Sequence, residues 1–282
     1  MRIGMNLLLW SSHVGQKHYP VLAKLAAAGY DGVEIPIFDG DEAHYAALGR
    51  EVQRCGLKCS TITVCVPNAN PISADAAERA RALDRLKYVL DMTAAAGGDV
   101  LCGPYYCPLG VFSGEGPSED EKKRAADVLH AGAEYAATLN VRIAVEFLCR
   151  FETYFLNTAA DAADFVRRVN HPSLGMLYDT FHANIEEKDP PAALAKVAKE
   201  LIHFHISEND RGTPGSGHVQ WRETFRELRR MNYDGWLTIE SFSRLLPEVA
   251  AATRVWRDFF PSVEDVYENG VKFIRRMWDE AR

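Results

Sequence analysis

Short apolar runs rich in branched side chains alternate with longer segments in which apolar residues recur every three or four positions, and the alternation holds from end to end. The short runs read as strands buried on both faces and the longer ones as helices with one apolar face. Eight strands are predicted: Ile3 to Leu9, Gly32 to Pro36, Lys58 to Val64, Val100 to Cys102, Arg142 to Glu146, Gly175 to Asp179, Ile202 to Ile206 and Trp236 to Glu240. Helices are predicted between them, near Tyr19 to Ala28, Glu42 to Cys55, Ser118 to Thr138, Ala159 to Val169, Ala192 to Glu200, Trp221 to Met231 and Ser262 to Ala281. The clearest helix precedes the fourth strand: Leu83, Leu86 and Leu90 share a face, Ser73 is placed to cap it, and Gly97-Gly98 supplies a left-handed terminus.

Eight strand-then-helix units with no Pro/Gly/Ser linker predict a closed α/β (β/α)8 TIM barrel, a single domain over residues 1–282. No G-x-G-x-x-G follows the first strand, which disfavours a dinucleotide fold. The Gly-rich run Arg211-Gly-Thr-Pro-Gly-Ser-Gly217 has no Lys-Ser/Thr after it and reads as a flexible loop rather than a phosphate cradle. A net charge of −7 without a dense basic run excludes a nucleic-acid partner. No apolar run is long enough for a membrane span, so no membrane is expected. Six scattered cysteines without a C-x-x-C pair fit a reduced, cytoplasmic protein rather than a disulfide framework.

In such a barrel the chemistry sits at the C-terminal ends of the strands. Glu146 ends the fifth strand, Asp179 the sixth and Glu240 the eighth, while His205 lies late in the seventh. Residues about one repeat apart in the chain become neighbours on the rim. Three carboxylates and an imidazole gathered there repel and desolvate one another unless a cation compensates them, which makes Glu146, Asp179, His205 and Glu240 a candidate metal site. One nitrogen among oxygens suits Mn2+, Mg2+ or Co2+ better than structural zinc. His203 is the weaker candidate, since it points inward one layer deeper. Glu152, His182 and Arg211 follow the same strand ends and are candidates for binding hydroxyls, with local alternatives: Glu152 pairing with Arg150, His182 capping a helix, Arg211 solvated.

With these residues in view the chain resembles the ketose 3-epimerases (D-tagatose, D-allulose or D-psicose, and L-ribulose 3-epimerases) of the xylose-isomerase-like sugar isomerases. The resemblance is collinear over nearly the whole chain and rests on Glu146-x5-Glu152, Asp179-Thr-Phe-His182-x-Asn-Ile-Glu-Glu, His203-Phe-His205-x-x-Glu-Asn-x-Arg211, and Ile239-Glu240-x-Phe with the later Val255-Trp-Arg-Asp258. It implies one divalent metal, usually manganese, on Glu146, Asp179, His205 and Glu240. It further implies that Glu146 and Glu240 are the acid/base pair, that Glu152, His182 and Arg211 hold the O1 end of a free ketose, and that the reaction is epimerisation at C3 through a cis-enediolate. Two regions depart from the better-known members: Asn6 stands where they have an aromatic, and the loop Gly103-Pro-Tyr-Tyr-Cys-Pro-Leu109 lacks their tryptophan. Both regions are expected in the pocket for O4 to O6. The alternatives are an aldose–ketose isomerase of the hydroxypyruvate isomerase type and an inosose dehydratase-like lyase. A homodimer or homotetramer is expected from the family, with Trp256, Phe259, Phe260 and Trp278 as candidate interface aromatics.

Overall fold

The structure, a computed structural model, describes residues 1–66 and 68–281. Eight parallel strands close into a barrel in chain order: β1 Arg2–Asn6, β2 Gly32–Pro36, β3 Lys58–Ile62, β4 Val100–Gly103, β5 Arg142–Glu146, β6 Leu174–Asp179, β7 Leu201–Ile206 and β8 Trp236–Ile239, with β8 pairing back on β1. The eight strands of the sequence reading are all present. The first is shorter than expected: Leu7–Leu9 turn into a 3-10 helix because the Asn6 side chain accepts from the Leu8 N–H.

The major helices are α1 Tyr19–Ala28, α2 Glu42–Arg54, α3 Ala76–Ala95, α4 Glu119–Thr138 and α5 Ala159–Val169, followed by α6 Thr180–Glu186, α7 Pro190–Lys196, α8 Trp221–Arg230, α9 Pro247–Thr253 and α10 Val263–Glu280. Ser118 and Thr158 form capping boxes with Glu121 and Asp161. Helix α3 is capped by Asp75, whose carboxylate accepts from the Ala77 N–H, not by Ser73, whose hydroxyl accepts from the Asp75 N–H. Helix α7 lies earlier than expected because Asp189 caps it and Pro190 presets its first turn. The short α6 and α9, seven residues each, are too brief to show an apolar periodicity along the chain.

Two apolar layers result. One lies between strands and helices; the other, inside the barrel, contains Ile62, Val100, Cys102, Ala144, Leu177 and Trp236. Trp236 plugs the N-terminal end, donating from its indole to Asp99 under the Arg2 guanidinium. It fits because Gly32 faces it: a Cβ there would lie 2.4 Å from Trp236 Cη2 and 2.4 Å from the Lys58 carbonyl. Gly32→Ala is therefore expected to cost about 1–3 kcal/mol by overpacking, whereas Gly116→Ala, which meets open space, is neutral. Equal urea midpoints for the two variants would contradict this account of the barrel interior.

The register between β6 and β7 shifts at Met176/Leu177, so that Leu177 pairs with His203 and Asp179 with His205. The irregularity sets which β7 side chains share the inward face. All six cysteines are free thiols. No helix among the described residues is long and apolar enough to cross a membrane. Of the four C-terminal aromatics, Trp256 is exposed, while Phe259, Phe260 and Trp278 pack partly against the cores.

Candidate active site

The strand ends bring Glu146, Asp179, His205 and Glu240 together at the C-terminal mouth of the barrel, with one oxygen or nitrogen from each within 4.8 Å of the others. All four are buried. His205 Nδ1 lies 3.5 Å from Asp179 Oδ2, 3.5 Å from Glu240 Oε1 and 3.9 Å from Glu146 Oε1, and it has no hydrogen-bond partner. An orphaned imidazole nitrogen aimed at three carboxylates is a donor set that fits a divalent cation: three hard oxygens and one nitrogen, with no thiolate.

Asp179 serves two purposes. Its Oδ1 caps α6 by accepting from the Phe181 N–H at 2.6 Å, while its Oδ2 faces the cluster and accepts from Arg211 Nη1 at 3.0 Å. The two glutamates differ. Glu240 accepts from Asn6 Nδ2 at 3.0 Å and from Arg211 Nη1 at 2.6 Å. Glu146 has only the more distant His182 and His205 nitrogens, 3.8 and 3.9 Å away.

The electrostatics follow this difference in support. Burial, reinforced by the Glu240 charge, pushes Glu146 well above the usual carboxylate range. Burial raises Glu240 too, to about 7, against the pull of His205 and Arg211. For Asp179 burial is outweighed by Arg211 and the neighbouring imidazoles, which hold it ionised far below the usual range. Burial would lower His205, but the Glu34 and Glu240 carboxylates overcome it and favour the imidazolium. Burial thus drives Glu146 and Glu240, and the facing carboxylates drive His205, toward their protonated forms, a demand for positive charge that a dication would meet.

The hydroxyl-binding candidates border the same cluster. Arg211 is buried, not solvated; its guanidinium lies between the Phe181 and Phe242 rings, 3.9 and 5.1 Å from their centres. It reaches inward from a left-handed backbone, φ 65°, costly for a branched-free but bulky residue and held by Ser241 Oγ and Phe242 N donating to its carbonyl. His182 sits within α6 rather than capping it: its Nδ1 accepts from the Cys149 N–H at 2.9 Å, and its Nε2 is 3.0 Å from Arg211 Nη2. Burial, then Arg211, pushes it down to about 3, so it is a neutral imidazole. Arg150 pairs with Glu186 instead of Glu152, leaving the Glu152 carboxyl to face the pocket, raised by burial.

These groups form the polar end of a pocket of about 410 Å3 whose other walls include Leu8, Phe38, Ile62, Val64, Leu109 and Phe242. Leu109 brings the fourth-strand loop to this wall as expected. Asn6 does not reach it: the residue lies beneath Glu240, because the chain turns at Leu7 and presents Leu8 instead. The Gly-rich loop is not slack either. Glu208, buried at its base, accepts from the Gly215 and Val219 N–H groups and from the Trp221 indole.

The sequence reading missed Glu34, in the middle of β2 and fully buried. His203 Nε2 is 2.7 Å from Glu34 Oε2 and His205 Nε2 is 2.9 Å from Glu34 Oε1, so His203 belongs to this deeper layer and not to the mouth cluster. Burial alone would raise Glu34, but the two histidines hold it ionised, well below the usual range. Its signal was present in the sequence: a lone carboxylate inside the apolar run Gly-Val-Glu-Ile-Pro.

The family model described as "Xylose isomerase-like TIM barrel" matches residues 22–277. A protein of Synechocystis sp. described as "Probable ketose 3-epimerase" is 32% identical over 279 residues, covering 99% of this chain and 97% of its own. A structure described as that of L-ribulose 3-epimerase superposes with a TM-score of 0.94 at 28% identity, covering 100% of this chain and 95% of that one. The D-allulose 3-epimerase of Methylomonas sp. in complex with D-allulose superposes with a TM-score of 0.91 at 28% identity, covering 98% and 97%.

Proposed function

Because the chain belongs to the xylose isomerase-like TIM barrel family and, within it, to the ketose 3-epimerases, an isomerase lineage, we propose that it inverts C3 of free ketoses with Glu146 and Glu240 as the acid/base pair. Glu146, Asp179, His205 and Glu240 would hold one divalent cation, Mn2+ by preference over Mg2+ or Co2+. One observation carries the reading: the two glutamates, from the ends of β5 and β8, meet at the floor of a pocket together with an imidazole whose Nδ1 has no hydrogen-bond partner and a buried arginine.

Inversion beside a ketone needs a proton removed from one face of C3 and another delivered to the opposite face. Glu240, held by Asn6 on one oxygen and Arg211 on the other, keeps one orientation while it takes up and releases the C3 proton. Glu146, whose nearest polar neighbours are the His182 and His205 nitrogens at 3.8 and 3.9 Å, stands across the cluster as the partner that exchanges the second proton. The roles exchange when the reaction runs the other way. When bound, the cation supplies Lewis-acid stabilisation of the enediolate's charge, worth several kcal/mol. Arg211 adds a fixed positive charge beside the same oxygens, and His182 and Glu152 frame the O1 end. The apolar walls take the rest of the sugar and exclude water from C3.

Isotope placement tests the reaction. In D2O with Mn2+, a ketose such as D-allulose or L-ribulose is expected to gain deuterium at C3 in both epimers. Label at C1 instead would identify an aldose–ketose isomerase, and loss of water a lyase.

A further inference from the structure

Resting on the cation site proposed above, we infer that Glu34 is a positioning residue that fixes which nitrogen of His205 faces the cation, and that Asn6 carries the same constraint to Glu240.

Glu34 is surrounded by donors from four other strands. Its Oε1 takes His205 Nε2 at 2.9 Å and Asn6 Nδ2 at 3.1 Å; its Oε2 takes His203 Nε2 at 2.7 Å, Ser60 Oγ at 3.0 Å and Cys102 Sγ at 3.2 Å. Five donors crowd the roughly four lone-pair directions of a carboxylate, so Glu34 has none left for a metal. The proximity of Glu34, Cys102, His203 and His205 thus reads as a hydrogen-bonded hub beneath the mouth cluster and not as a second metal centre.

The hub has a directional consequence. An imidazole that donates Nε2–H to a carboxylate presents its Nδ1 lone pair on the other side, and ligand basicity rises with such a partner. His205 Nδ1 is the nitrogen without a partner, and it points toward Asp179, Glu240 and Glu146. Asn6 is equally constrained. Its Oδ1 accepts from the Leu8 N–H at 2.9 Å, which turns both hydrogens of Nδ2 toward carboxylates, one to Glu34 Oε1 and one to Glu240 Oε1. One amide therefore ties the base on one side of the cluster to the anchor of the imidazole on the other. The neutral amide does this without adding charge, which an Asp at the same place would.

The test reads cation binding directly. Mn2+ is titrated calorimetrically into wild type, Glu34→Gln, Asn6→Ala and Ser60→Ala, and the Mn2+ complexes are examined by pulsed EPR for coupling to a directly bound imidazole nitrogen. Glu34→Gln is expected to raise the Mn2+ Kd about 10- to 100-fold and to lose the nitrogen coupling, because its amide cannot accept from both histidines. Asn6→Ala is expected to keep the nitrogen coupling and lower kcat about tenfold with KM little changed. Ser60→Ala, which removes a Glu34 donor on the side away from His205, should bind Mn2+ as wild type does. If Glu34→Gln does not fold, Glu34→Asp carries the test with the same expected loss of affinity. Wild-type affinity and nitrogen coupling in the folded Glu34 variant would overturn the inference while leaving the cation site standing; a wild-type protein that binds no Mn2+ overturns both.

Discussion

Glu146→Gln and Glu240→Gln are each expected to lower the rate of epimerisation about 10²- to 10⁴-fold, the range a positioned acid or base contributes. The two variants should differ in stability. Glu146 receives no close donor and burial favours its protonated form, so a neutral glutamine is nearly isosteric with what it replaces and leaves the melting temperature unchanged or slightly higher. Glu240 accepts from Asn6 on one oxygen and Arg211 on the other, and a glutamine can satisfy only one of them, so Glu240→Gln is expected to lose about 1–3 kcal/mol of stability. Exchange separates the chemistry further. At saturating Mn2+, each single variant retains one base and should still wash deuterium into C3 of the epimer that faces it, without inversion. Epimerisation near the wild-type rate in either variant would sink the two-base assignment.

Removing divalent metal with EDTA is expected to abolish turnover, and Mn2+ to restore it. The pH dependence of that restoration follows from the site. Glu146, Glu240 and His205 all hold their protons more tightly in the folded cation-free protein than in the unfolded chain, Glu240 up to about 7. Each must give up a proton to become a ligand, so Mn2+ affinity should rise about tenfold per pH unit for every proton displaced, with a slope of at least one between pH 6 and 7. The stability sign agrees: groups raised on folding stabilise the cation-free protein at low pH and lose that contribution as pH rises through their folded values. Asp179 and Glu34, both lowered, act in the opposite sense but only at strongly acidic pH. His182, pushed down to about 3, and His203, also lowered, favour folding above the ordinary histidine range and lose that contribution on acidification. They oppose the raised groups below about pH 6.5 and leave the window near neutrality to Glu240 and His205. The rise in melting temperature on adding Mn2+ should consequently be larger at pH 8 than at pH 6. An affinity that is flat over this range would show that the cluster does not bind the cation.

Much of this was legible in one dimension because a (β/α)8 barrel makes chain order and spatial order coincide. A polar residue at the end of each late strand is therefore a rim residue without further geometry, which is why Glu146, Asp179, His205 and Glu240 stand out. The two-residue spacing of His203 and His205 likewise placed one beneath the other, as observed. Local chemistry misled where two caps compete within three residues, as at Ser73 and Asp75, and where Pro190 rather than apolar spacing starts a helix.

The alternation of apolar and polar positions by itself determined the barrel, its strand order and the identity of the four rim residues, since it records which faces of each element leave water. Only the tertiary structure decided how those residues are supported. Glu34 takes donors from four other strands, Arg211 turns back from a left-handed residue clamped by Ser241 and Phe242, and Glu208 orders a loop whose glycines suggest slackness. These contacts join residues far apart in the chain through side chains a few ångströms long. They exist once barrel closure sets the register of every strand against its neighbours, and no local periodicity encodes them.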